Sequence, residues 1–249
     1  MRVVAFLFLF VAFVWAGNPD SLTVRSINQE SRTFFNSATG VWWPAQPKSS
    51  RASFPRHAAK SGVVVWFHGG MTSGNCEKGL VAGGDFAKLF PDVIVVSASA
   101  CRETHWVTGA MVAAVDAALD SVAQRRGGFV DEVSLVGVSD GALGVLYYSM
   151  QGKRRVKDRL LMSSFGKLLG GAPEVAGASP RMRDGRWRFL QGGNDRLFPA
   201  GEAAPWIEEF CRSVQADCML RFDPAGEHDW SYWREKHLDW IRESISSGK

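Results

Sequence analysis

The chain has 249 residues, a formal net charge of +4 and a 46% share of hydrophobic residues. That length suits one α/β domain with a sizeable core, expected over residues 17–249, with no second domain visible. The mild positive charge does not imply nucleic acid, and neither zinc-finger spacing nor an aromatic platform motif accompanies the basic residues.

Met1-Arg2, an almost unbroken apolar run from Val3 to Trp15 and small residues at Ala16-Gly17 form a secretory signal pattern over residues 1–16, cleaved after Ala16. The run is shorter than the roughly 20 residues that a bilayer-spanning helix needs. Export, secreted or periplasmic, without stable membrane insertion is therefore expected in preference to an uncleaved anchor. Leu22 to Ile27 and Arg32 to Phe35 read as short extended segments, and Pro44 to Lys60 as irregular connection.

Val63 to Phe67 and Val93 to Val96 are continuous apolar runs, as in parallel strands covered on both faces. Thr108 is placed to cap a helix with Met111, Val115, Leu119 and Val122 on one face, and Glu132 to Val136 returns as a strand. Leu143, Leu146, Tyr147 and Met150 stripe the next helix, which Gly152 stops. Leu160 to Met162 is a strand, residues 165–186 a polar insertion too short for a large lid, and Trp187 to Leu190 another strand. Pro205 is expected to start a helix bearing Trp206, Ile207, Phe210 and Val214, followed by a strand from Met219 to Phe222. Trp233, Trp240, Ile241 and Ile245 stripe the last helix. This alternation predicts an α/β fold, a mostly parallel sheet with helices on both faces. The basic clusters at Lys153-Arg154-Arg155 with Lys157 and Arg159, and at Arg181, Arg183, Arg186 and Arg188, read as a solvated face rather than an anion-binding patch.

Four cysteines in an exported chain point to two disulfides. Position favours Cys76 with Cys101, each just beyond a predicted strand, and Cys211 with Cys218. Free buried thiols are the alternative.

The densest chemical signal is Gly137-Val138-Ser139-Asp140-Gly141, a G-x-S-x-G pattern following an apolar strand. A turn that lifts a serine out of a sheet crowds the backbone, and flanking glycines remove the offending Cβ atoms. A serine hydroxyl needs a base, and the base needs an orienting carboxylate, expected after later strands in the order Ser, Asp/Glu, His. Asp195, in a Gly-rich turn closed by Pro199, is the first carboxylate, with Asp223 and Glu227 behind it. His228, between the last strand and last helix, is the base, while His237 reads as packing. Backbone N–H groups stabilise an oxyanion best where no side chain blocks them. His68-Gly69-Gly70-Met71 supplies Gly70 first and Met71 second, with the Asp140 N–H as partner, and His68 reads as structural. His105 and Trp106 are candidates for lining an acyl or alcohol pocket, against a polar loop with one packed tryptophan. Trp230 is a pocket candidate weighed against core packing.

Taken together, His68-Gly69-Gly70, the Ser139 pentapeptide, Gly193-Asn194-Asp195 with Pro199, and Gly226-Glu227-His228-Asp229-Trp230 resemble the α/β-hydrolase superfamily. More narrowly, they resemble small exported esterases related to polyhydroxybutyrate depolymerases, feruloyl esterases and acetyl esterases. The resemblance runs from about Gly62 to Trp240 and implies an α/β-hydrolase fold without a large lid domain. It implies ester hydrolysis through an acyl-serine intermediate, with no metal or organic cofactor and a small-molecule or polymeric ester as substrate. Cys101-Arg102-Glu103-Thr104-His105-Trp106 departs from the group and leaves the substrate class open. A thioesterase or peptidase would use the same triad, and a non-catalytic binding protein with a hydrolase fold is the rival from another class.

Overall fold

The computed structural model describes residues 20–28, 33–44, 61–70, 74–101 and 105–245. The expected signal segment and Met71 lie outside them. Among the described residues no helix is long and apolar enough to cross a membrane. The elements run β1 (Asp20–Asn28), β2 (Thr33–Trp42), β3 (Val63–Phe67), α1 (Gly79–Leu89), β4 (Ile94–Ser97), α2 (Gly109–Arg126), β5 (Glu132–Val138) and α3 (Asp140–Gln151). They continue as β6 (Arg155–Met162), α4 (Ala172–Gly177), β7 (Arg186–Gly192), α5 (Ala200–Val214), β8 (Asp217–Asp223), α6 (Trp230–Lys236) and α7 (Leu238–Ile245).

Eight strands form one sheet in the order β1-β2-β4-β3-β5-β6-β7-β8. The first two pair antiparallel as a hairpin and β2 pairs antiparallel with β4, while every later pairing is parallel. Side chains alternate across a strand, so the apolar runs feed two cores at once. Val63, Val65 and Phe67 join Leu135, Leu161 and Phe189 on the face covered by α2, α3 and α5. Val64, Trp66, Val136, Leu160 and Leu190 lie on the opposite face, under Phe86 of α1, Trp233 of α6, and Ile241 and Ile245 of α7. The insertion after β6 holds only two short 3₁₀ turns and the six-residue α4, so it forms no large lid.

Several elements differ from expectation for identifiable reasons. Helix α1 carries three glycines, which lowers intrinsic helix propensity and hides it from a pattern search. Packing explains the glycines: a Cβ on Gly79 would press into the Ala98 backbone, and one on Gly83 into the Trp42 ring. Helix α5 begins at Ala200 with Pro199 as its N-cap and accommodates Pro205 within it. The final amphipathic stretch is two helices, broken at His237.

The solvated-face reading of the basic clusters also needs correction. Arg159 is fully buried, its guanidinium 4.3 Å over the Trp187 ring and donating to Ser149 Oγ and to the carbonyls of Arg181 and Asp184. Burial pulls its pKa down to about 9. Arg186 donates to the buried Asp158 carboxylate, and Arg188 forks onto Asp217. Arg159 thus ties the polar insertion to the sheet, while Arg186 joins β7 to β6 and Arg188 joins β7 to β8. Arg155, by contrast, is exposed and pairs with Glu132.

Candidate active site

The loops at the carboxyl ends of the parallel strands meet over the middle of the sheet, where open α/β sheets bind ligands. Ser139 leaves β5 with φ 56° and ψ −124°, a conformation that side chains rarely adopt. The turn holds because its N–H donates to the Met162 carbonyl and its own carbonyl accepts from Ala142. The flanking glycines make it sterically feasible. A Cβ on Gly137 would strike the Gly141 carbonyl, and one on Gly141 would strike the Phe67 carbonyl of β3.

His228, on the loop between β8 and α6, lies with Nε2 2.8 Å from Ser139 Oγ. Its Nδ1 is 2.9 and 3.0 Å from the two carboxylate oxygens of Asp195. Asp195 is 3% exposed, and its Oδ1 also accepts the backbone N–H groups of Leu197 and Phe198. The Phe198 ring stacks on the imidazole at 5.4 Å. The arrangement fixes the tautomer: with Nδ1–H donated to Asp195, Nε2 is left to accept from the serine hydroxyl.

The other expected carboxylates lie elsewhere. Asp223 Oδ2 accepts from Tyr232 Oη and pairs with His237 Nε2, each at 2.8 Å, and Oδ1 accepts from the Ala225 N–H. These bonds, that from His237 foremost, hold its pKa below the usual carboxylate range. Glu227 is exposed at the rim of a cleft of about 730 Å³ lined by Asn194, Asp195, Arg196, Leu197, His228 and Asp229, among others.

Across from His228, the His68-Gly69-Gly70 loop presses against the nucleophile: a Cβ on Gly69 would lie 3.2 Å from Ser139 Cβ and 3.1 Å from the Val138 carbonyl. Gly70 has φ 93°, which favours glycine. His68 is buried, donating through Nδ1 to the Gly69 carbonyl at 3.0 Å and accepting at Nε2 from the Ala100 N–H at 3.1 Å. Burial lowers its pKa to about 4, so it is neutral and structural. Asp140 opens α3, where backbone N–H groups have no intrahelical acceptor. Its carboxyl is buried with Oδ1 unpartnered, and burial raises its pKa against the lowering influence of His105 and Lys78.

The tryptophan candidates turn away from the cleft. Trp106 is 2% exposed, packs its edge against Phe67 and His68, and donates Nε1 to the His68 carbonyl at 2.9 Å. Trp230 packs edge-on to Trp66 at 4.8 Å. An indole is too large an apolar surface to leave exposed where a core face is within reach. His105 is half-buried, its Nδ1 accepting from the Val107 N–H. Two disulfides, Cys76–Cys101 and Cys211–Cys218, are formed. Among the described residues no cluster of three or more His, Cys, Asp or Glu is arranged to hold a metal ion. Sequence reasoning missed Phe198 and the cleft residues Asn194 and Arg196. Asn194, Arg196 and Phe198 were within reach, as neighbours of Asp195 in its turn.

No family model matches the chain, and no curated protein matches it. Solved structures do. Apo Thermogutta terrifontis esterase 2 superposes with a TM-score of 0.63 at 13% identity, over 94% of this chain and 98% of the esterase. A structure described as a putative hydrolase from Agrobacterium vitis S4 gives 0.59 at 14% identity, over 92% and 99%. Pyrococcus horikoshii acylaminoacyl peptidase gives 0.59 at 10% identity, over 93% of this chain and 42% of the peptidase. Ser139 stands on its turn between β5 and α3, and the chain shares the fold of these hydrolase, esterase and peptidase structures.

Proposed function

We propose that this protein is a serine hydrolase that cleaves carboxylic esters through an acyl-serine intermediate. The observation that carries the reading is the continuous chain from Ser139 Oγ to His228 Nε2 at 2.8 Å and from His228 Nδ1 to Asp195 at 2.9 Å. Ser139 Oγ attacks the ester carbonyl carbon while His228 Nε2 takes its proton. The carbonyl π electrons move onto oxygen, and that oxyanion is received by the N–H groups of Gly70 and Asp140. Collapse of the tetrahedral species breaks the bond to the alcohol oxygen, which leaves with the proton from His228. Water, deprotonated by His228, then attacks the acyl-serine, and the acid and free Ser139 are released. Asp195 orients the imidazole through Nδ1.

The Asn194, Arg196, Glu227 and Asp229 lining makes the cleft polar, and the short insertion leaves it open. Both features suit a bulky hydrophilic or polymeric ester, on a polysaccharide or polyester, better than a long free acyl chain. Two disulfides support an exported protein, with residues 1–16 as the signal and 17–249 as the catalytic domain. The test is covalent labelling by a fluorophosphonate, followed by turnover of acetyl, feruloyl, medium-chain and hydroxybutyrate esters alongside a thioester and an acylated peptide. Labelling at Ser139 is expected, with ester turnover that falls by about 10⁴-fold or more in Ser139→Ala. No labelling of the folded protein overturns the reading, and a thioester or peptide turned over faster than every ester moves the substrate class.

A further inference from the structure

The carbonyl of Gly69 and the N–H of Gly70 belong to one peptide unit, and no cis peptide occurs among the described residues. In a trans peptide these two groups point in opposite directions, so whatever holds the carbonyl also aims the N–H. Two donors converge on that carbonyl: His68 Nδ1 at 3.0 Å and the Lys78 ammonium at 2.6 Å. Lys78 comes from the residue that precedes α1 and passes beneath Gly70, where a Cβ would collide with its Nζ. Its own backbone position is fixed on both sides. The Gly79 N–H donates to Ser99 Oγ at 2.7 Å, and Cys76, two residues earlier, is bonded to Cys101. Lys78 also exerts a lowering influence on the pKa of the buried Asp140 carboxyl, so its charge is felt at the residue that follows Ser139.

We infer that Lys78 is a positioning residue for the oxyanion site, clamping and polarising the Gly69–Gly70 peptide so that the Gly70 N–H is aimed and strengthened as a donor. This rests on the serine-hydrolase reading above. A cation on an amide oxygen draws electron density from the amide nitrogen, and hydrogen bonds in such chains strengthen one another by about 10–30%. Lys78 also offsets any negative charge on Asp140, which otherwise opposes the build-up of charge on the substrate oxygen. Both effects grow as the carbonyl oxygen becomes an oxyanion and are small for the neutral bound ester. They therefore act on kcat rather than KM.

The experiment compares Lys78→Met, Lys78→Gln and Lys78→Arg with the unsubstituted protein on p-nitrophenyl acetate. Rates are normalised to active sites counted by fluorophosphonate labelling, so that misfolded protein does not enter. Expected is a kcat about tenfold lower in the Met and Gln variants, KM within about twofold, and recovery to within about threefold of the starting rate in the Arg variant. Affinity for phenylboronic acid, which forms a tetrahedral adduct on the serine, should fall about tenfold in the same two variants. An unchanged kcat per labelled site overturns the inference. So does a rise in KM alone, which would make Lys78 a substrate-binding charge, or a failure of Arg to restore the rate. No labelling of the unsubstituted protein overturns the underlying hydrolase reading instead, and the two failures are thereby separated.

Discussion

The two sides of the site are held by different means. On the side of β7 and β8, the functional groups are themselves side chains, and they hold one another: His228 bonds Asp195 and Ser139, while Asp195 is secured by the Leu197 and Phe198 N–H groups of its own turn. On the side of β3, the functional group is a bare peptide, and apart from the His68 ring of its own loop, the groups that fix it arrive from other elements. Trp106 from ahead of α2 holds the His68 carbonyl, Ala100 from beyond β4 holds the His68 ring, and Lys78 from ahead of α1 holds the Gly69 carbonyl. The first side therefore fails when one atom is removed. The second fails by degrees, as its surroundings loosen.

The sharpest way to break that contrast is on the first side. Asp195→Asn keeps the shape but replaces an acceptor with an amide that can hold the wrong imidazole tautomer, so kcat should drop about 10³–10⁴-fold with little change in KM. Asp223→Asn is the matched control, since Asp223 serves His237 and Tyr232 instead. It should leave ester turnover unchanged and cost about 1 kcal/mol of stability in urea titration. If the two results exchange, Asp195 is the structural carboxylate and Asp223 the functional one.

A smaller effect tests the second side. Replacing Cys76 and Cys101 with alanine opens a link across a sequence separation of 25, which costs about 3–4 kcal/mol in the chain-entropy account, against about 2 kcal/mol for Cys211 and Cys218, separated by 7. Stability alone would rank the two pairs and say nothing of the site. Activity distinguishes them: the first pair anchors the segment that carries Lys78, so its removal should lower kcat several-fold at a temperature where the protein remains folded. Removal of the second pair, which joins α5 to β8 away from the loop, should leave kcat as it was. Equal kcat losses in both would mean that the β3 side gains nothing from its local tether.

What the sequence made legible follows the same division. Ser139, Asp195 and His228 are single side chains at turns beyond apolar strands, and the ordering of those strands was readable from runs such as Val63 to Phe67. The supports of the β3 side were not readable. Lys78 has no motif around it, and the helix after it is obscured by Gly79, Gly83 and Gly84, of which the first two show their purpose only once Ala98 and Trp42 are seen against them. Arg159 misled for a related reason. A charged residue in a basic run looks solvated until the ring of Trp187 and three oxygen acceptors are brought to it by the fold. For Trp106 and Trp230 the sequence left a pocket role open beside core packing, because period and volume are local properties and contact partners are not.

His68 gives the most graded test of how the β3 side holds together. Its folded-state pKa is about 4, while in the unfolded chain it titrates near 6.5. The cause is burial, with the repulsion of Lys78 adding to it and the bond to Gly69 opposing it. As pH falls from 6.5 towards 4, only the unfolded chain takes up the proton, so the stability contributed by neutral His68 is complete above about pH 6.5 and declines below it. At pH 5 the loss is about 2 kcal/mol. His68→Gln keeps an acceptor for Ala100 and a donor for Gly69 without a titrating group. Its unfolding free energy should therefore change less than that of the parent between pH 7 and pH 5, by that amount, while other titrating groups cancel in the difference. Parallel pH profiles for the two proteins would mean that His68 is not held neutral in the folded state. Protonation below pH 4 also removes the acceptor for the Ala100 N–H, so the parent should lose that anchor of the Gly69–Gly70 loop under acid conditions in which the glutamine variant retains it.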